Sequence, residues 1–201
     1  MTDAAHPTTP RRIVVGVTGG SGIVYAFDLL TALRRPEIET HLVVTAGAKQ
    51  VLPSESDRTV HDLAALADVV HDDRDLGAPI ASGSFRADAM AIVPCSASTL
   101  AKIAAGFGDA LVARTAHVFL KERRGLVLVI REAPYSRPML ENMLRAHDAG
   151  ALIVPASPGF YHRPTTVDDL IGSVTARVLD HLRVPHRRSP RWKDDDAGDA
   201  T

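Results

Sequence analysis

Hydroxyls, cations and a carboxylate stand at the ends of apolar runs in this 201-residue chain, where they could meet a phosphorylated ligand. The run from Ile13 to Val17 passes into Thr18, Gly19, Gly20, Ser21 and Gly22. Glycines let the backbone approach a ligand closely, and a helix starting there offers free N–H groups and a positive dipole end. The same loop could be a tight strand-to-helix turn with Ser21 as the helix cap. It lacks the GxGxxG spacing, which counts against a dinucleotide. A second run, AIVPC from Ala91, ends in Ser96, Ser98 and Thr99. Several hydroxyls at a helix start suit a phosphate or the polar edge of a flavin, although one of them alone could be an N-cap. Cys95 has no electropositive neighbour in sequence and reads as a small buried thiol. A third run, VLVI from Val127, leads into Arg131 and Glu132, with Lys121, Arg123 and Arg124 shortly before it. Arginine recognises phosphate bidentately, and a carboxylate beside it can accept or donate a proton. The pair could equally solvate a strand end, and the KERR cations complement a helix dipole. Tyr161 lies in the Pro/Gly-stiffened PASPGFYHRP, where it could hold a hydroxyl over a site or simply pack. Arg177 fits a solvated helix face, while Trp192, a lone large aromatic in a polar stretch, is expected to dock on its own subunit, a neighbour or a ligand.

These residues need a scaffold that gathers strand ends. Apolar runs near Ile13, His41, Ala91, Leu126 and Ala151 alternate with helical periodicity after Gly22, Ser98, Asp109, Arg137 and Thr166. Such alternation predicts a three-layer α/β/α, Rossmann-like (flavodoxin-like) parallel sheet in a single domain over residues 11–185. In that architecture ligands sit at the carboxyl ends of the strands. The stretch 53–84 is the least regular, and its topology is left open. Residues 1–10 are expected to be a disordered tail, and residues 186–201 a charged C-terminal tail that carries Trp192 toward the site.

Composition excludes several classes. With 23 basic against 24 acidic side chains, the chain is not built to neutralise nucleic acid phosphates. No stretch is long enough to span a bilayer, and the N-terminus lacks the apolar core of a signal peptide, so a cytoplasmic location is expected. One cysteine excludes an intrachain disulfide, and the nine histidines lack metal-ligand spacing, so no catalytic metal is expected.

Taken together, TGGSG, SESD, ASGSF, PCSAST, LKERRGLVLVIREAP, ENMLRAHDAGALIVPASPGFYHRP and PRW follow one order. In that order the chain resembles the UbiX-type flavin prenyltransferases. The resemblance implies transfer of a dimethylallyl group from dimethylallyl phosphate to N5 and C6 of reduced FMN. The product, prenylated FMN, then serves a UbiD-type decarboxylase. It further implies Ser21, Glu55 and Glu132 as catalytic residues, and Gly19, Gly20, Ser21, Thr45, Ser96, Ser98, Thr99 and Arg131 as the FMN contacts. Lys121, Arg131, Glu132, Tyr161, Arg177 and Trp192 match the residues around dimethylallyl phosphate, in sites lying between subunits of a homododecamer. Three positions depart from the family pattern: Gly20 replaces an alanine, Gly125 a proline, and Ala46 a lysine near the flavin phosphate.

The residue types suit that reaction. An allylic phosphate ionises when cations meet the leaving group, and no metal is required where side chains supply them. Closing the second bond releases a proton, for which Glu132, Glu55 or the departing phosphate is a candidate acceptor. The alternative enzyme class is an FMN-dependent decarboxylase of a cysteine-containing substrate. A non-catalytic flavin carrier would keep FMN contacts but need none of Glu55, Glu132, Tyr161 or Arg177.

Overall fold

Strand β1 (Arg11–Val17) is buried from Ile13 through Val17, without the alternation of a one-sided sheet. An apolar run of this kind needs helices on both faces. The computed structural model, which describes residues 10–192, supplies them. The order is β1, α1 (Ile23–Leu33), β2 (Ile38–Val44), α2 (Ala46–Glu55), α3 (Val60–Ala64), β3 (Val69–His71), β4 (Ala89–Cys95), α4 (Ala97–Ala105), α5 (Leu111–Lys121), β5 (Gly125–Ile130), α6 (Arg137–Asp148), β6 (Leu152–Pro155) and α7 (Val167–His181). All strand pairings are parallel, in the spatial order β3-β2-β1-β4-β5-β6. The three-layer α/β/α domain read from the sequence is the one observed.

Two apolar clusters cover the two faces. One joins Val15 and Leu42 to Leu30 of α1 and Leu179 of α7, and the other joins Val14 and Leu128 to Phe119 of α5 and Leu100 of α4. The order of the strands reverses direction at β1, so the connections after β1 and β4 lead away from each other. A crevice opens between them at the carboxyl edge. Pro94 has no N–H for the ladder, and the β4–β5 register shifts between Ile92 and Cys95 around it.

The stretch left open in the sequence holds the end of α2, then α3, β3 and a 3₁₀ turn at Pro79–Ala81. Helix α2 runs through Pro53 to Glu55, although Pro53 has no N–H to give to the ladder. Strand β3 has three residues and sits at the sheet edge, too short to show a pattern. Of the expected C-terminal tail, 186–192 lies against α7 and α1, with Arg188 paired to Asp28 at 2.9 Å and to Asp168 at 2.7 Å. Residues 1–9 and 193–201 lie outside the described residues. No described helix is long and apolar enough to cross a membrane.

Candidate active site

Three loops meet at the switch point, two of them tied by one buried hydroxyl and the third by a backbone bond. Thr18 Oγ1 donates to Pro94 O at 2.7 Å and accepts from Ser96 N at 2.7 Å, while Thr45 N donates to Val17 O at 3.0 Å. The ends of β1, β2 and β4 are thereby locked together. Below them lies a cleft of about 330 Å³ lined in part by Gly19, Thr45, Ser96, Ser98 and Thr99. A Cβ on Gly19 would lie 3.0 Å from the Gly47 backbone, so the β1 loop and the start of α2 approach as closely as glycine allows. Thr45 caps α2 through Ala48 N and Ser96 caps α4 through Thr99 N, both at 3.2 Å. Two helix N-termini, with free amides and positive dipole ends, therefore face one cleft. That donor set fits the phosphate and polar edge of FMN.

Beside the cleft, Ser21 does not cap α1, as one reading of the loop expected. Gly22 takes the N-cap position at φ 104, a left-handed conformation that carries no capping side chain. The Glu55 carboxylate does the capping from α2, accepting Gly22 N at 2.8 Å and Ile23 N at 3.0 Å. Burial pushes the Glu55 carboxyl up, but hydrogen bonds from the Ser21 side chain, Ile23 N and Gly22 N, with the charge of Arg131, outweigh it and hold the group below its ordinary value. Arg131 Nε donates to Ser21 O at 3.3 Å, which brings the guanidinium to the same loop. Burial raises the nearby Tyr25 phenol, with the Arg131 charge opposing.

A depressed folded pKa means that the carboxylate stabilises the fold above the ordinary value of 4.5 and loses that contribution as pH falls through the folded value. The stability gap between the parent and Glu55→Gln is therefore expected to be full above pH 4.5 and to close on the acid side. Urea midpoints measured across that range check it, and a gap that widens with acid would contradict the sign.

The remaining expected residues lie further out. Glu132 is exposed, and its carboxylate accepts the Ala133 N–H at 3.1 Å. Tyr161 and Arg177 line a separate recess of about 250 Å³ behind the end of β6. The Tyr161 hydroxyl donates to Pro190 O at 3.4 Å, and its ring meets Trp192 edge to face at 5.4 Å. Trp192 thus docks on its own subunit. Lys121 is apart from all of them. It ends α5 before β5 begins, whereas Arg131 follows the other end of β5, six residues or roughly 20 Å away along the strand. One chain does not bring Lys121 to Arg131. Burial pushes the Cys95 thiol up to about 12, in keeping with a structural residue. Among the described residues, no group of three or more His, Cys, Asp or Glu is placed to hold a metal ion.

Comparison with known proteins fits this geometry. The Flavoprotein family model matches residues 1–175. The flavin prenyltransferase UbiX of Deinococcus radiodurans is 60% identical over 197 residues, covering 98% of this chain and all of the relative. This chain belongs to the UbiX-type flavin prenyltransferases. The structure of AnUbiX (PadA1) in complex with FMN and dimethylallyl pyrophosphate superposes with a TM-score of 0.89 at 47% identity, covering 92% of this chain and 98% of that one. A structure described as a dodecameric FMN-dependent UbiX-like decarboxylase from Escherichia coli O157:H7 gives 0.88 at 48%, covering 90% and 99%.

For a UbiX-type flavin prenyltransferase, the sequence pattern left out two residues that line the cleft and one that ties its loops together. Thr18 is 1% exposed and looked like a loop residue beside the glycines. Asp73 lines the cleft and caps α5 by accepting Val112 N at 2.9 Å, from the stretch whose topology was left open. Lys102 stands four residues after Ser98 on α4, on the same helical face, and its Nζ pairs with Asp109 at 2.9 Å. The i, i+4 relation to Ser98 was the available signal.

Proposed function

We propose that this chain joins the dimethylallyl group of dimethylallyl phosphate to N5 and C6 of reduced FMN, and that the prenylated FMN passes to a UbiD-type decarboxylase. The observation that carries this reading is the junction of a two-helix anion cradle with the Ser21–Glu55–Arg131 cluster. Reduced FMN, when bound, supplies the electron-rich N5 and C6. Thr45, Ser96, Ser98 and Thr99 would hold it by hydroxyls and helix-terminal amides, with Gly19 and Gly20 giving it access to the backbone. Arg131 would bind flavin and donor phosphate together. Arg177 and Tyr161 would meet the leaving phosphate, and Trp192 would close over it.

In the net reaction the donor's C–O bond breaks with its electron pair leaving on phosphate. The freed allylic carbon bonds to N5, which gives up its proton. The C=C takes up one proton and its tertiary carbon bonds to C6, which gives up another, so C5H8 is added and one proton is released net. Glu132, Glu55 or the phosphate takes that proton, and of the two carboxylates Glu132 is the less engaged, since Glu55 accepts two backbone amides through Oε2 as a cap. The position of Lys121 supports a site completed by a neighbouring copy, in a homododecamer like the E. coli relative. A reducing compartment, the cytoplasm, suits an acceptor that must stay reduced.

Glu132→Gln is expected to lower prenyl transfer by about a hundredfold or more while FMN still binds with parental affinity. Loss of flavin binding with it would assign Glu132 to structure. A second expectation concerns the flavin phosphate, because Ala46 leaves the cleft without a lysine there and Lys102 lines the same cleft. Lys102→Ala should weaken FMN binding about fivefold, and adding Ala46→Lys should restore it. Flavin fluorescence titration of the three proteins reads both steps.

A further inference from the structure

We propose that the amino edge of the sheet holds a second anion site, suited to a small ligand carrying two or more phosphate groups. A cleft of about 660 Å³, twice the 330 Å³ of the one at the carboxyl edge, opens where β1, β4 and β5 begin and α7 ends. Its charged lining is Arg11, Arg123, Arg124, Arg183 and His181 against a single carboxylate, Asp88, which already accepts the Arg12 N–H at 2.8 Å. In a chain of formal net charge −1, this is a local excess of cations.

Part of that charge serves the fold. Arg11 donates to Leu182 O and Arg183 O, both at 2.8 Å, and Arg124 to Phe85 O and Gly83 O, both at 2.7 Å. These acceptors are neutral, and the ends of α5 and α7 together supply only about one negative charge as dipole. Arg123 and Arg183 make no side-chain hydrogen bond or ion pair among the described residues.

The backbone makes the same two residues unusual. Helices α4 and α6 close with glycines in the left-handed region, Gly106 at φ 82 and Gly150 at φ 111. Helices α5 and α7 close the same way with Arg123 at φ 55 and Arg183 at φ 56, and both open onto this cleft. The following amides reach back to the carbonyl five residues earlier, Arg124 N to Phe119 O and Val184 N to Leu179 O, both at 2.9 Å. Glycine would meet that geometry without strain. Dipole complementation does not require arginine there, since a cation anywhere in the last turn serves, and α5 already has Lys121. Two strained arginines that share one cleft and lack a protein partner are accounted for by what the cleft binds. The planar guanidinium fork matches phosphate oxygens. Within one chain this cleft lies at the opposite ends of the strands from Ser96 and Arg131, and preloading with flavin and donor phosphate in the test keeps it apart from any site that Lys121 completes in a neighbouring copy.

The test is calorimetric titration of tripolyphosphate into the full-length protein preloaded with oxidised FMN and dimethylallyl phosphate, beside the double variant R123G/R183G. Glycine suits the backbone at both positions, so the variant is expected to unfold at or above the parental midpoint. The parent should bind one equivalent per chain, more weakly as salt is added, and the variant at least tenfold more weakly with FMN affinity unchanged. Equal binding by both proteins, or no binding by the loaded parent, overturns the proposal. So does a variant that changes oligomer mass but not binding, which would assign the cleft to contact between copies.

Discussion

Arg131→Met is expected to lower prenyl transfer by about a thousandfold, since in the proposed site it removes a preorganised cation from the point where charge develops on the leaving phosphate. The guanidinium follows β5 directly and donates to Ser21 O, so its position is set by the sheet and by the first loop together. Its loss acts twice. The donor phosphate loses a cation, and the Glu55 carboxylate loses one of the influences that hold its pKa down. FMN binding should fall much less, since Thr45, Ser96 and the two helix N-termini remain. Single-turnover rates with FMN saturating separate the two effects, and a rate within tenfold of the parent would remove Arg131 from the chemistry.

The second large effect depends on assembly. Lys121→Ala should be nearly inactive although its side chain is far from Arg131 within one chain. If a neighbouring copy supplies Lys121, two inactive proteins can repair each other. Subunits of Lys121→Ala and Arg131→Met, dissociated together and reassembled in equal amounts, should recover about a quarter of parental activity, the share of sites that draw both intact residues from different copies. Each variant reassembled alone should stay inactive. Failure of the mixture, with oligomer mass restored, would mean that Lys121 acts in some other way.

How much of this was legible in the sequence follows from what each residue's neighbours look like along the chain. The central strands are covered on both faces, so β1, β2, β4 and β5 stand out as apolar runs that end in polar turns. Ser96 and Thr99 could be placed at a helix start because the run and the hydroxyls are contiguous. Glu55 could not be placed from local pattern. Helix α2 buries only Ala48 and Leu52 and contains Pro53, so its periodicity is faint, and the link from Glu55 to Gly22 spans 33 residues. Resemblance to a family named Glu55, while the capping role came only with the fold. Thr18 was hidden for a similar reason, since its partners Pro94 and Ser96 lie 76 and 78 residues away. Lys121 shows the opposite failing. Its motif is conspicuous in the sequence, yet nothing along one chain tells what stands opposite it in an assembly.

Anaerobic incubation of the purified protein with reduced FMN and dimethylallyl phosphate, followed by mass spectrometry of the released flavin, tests the central claim most directly. A flavin heavier by one C5H8 unit, with one phosphate released per flavin, is expected. Unmodified FMN, with dimethylallyl diphosphate tried in parallel and also unreacted, would contradict it.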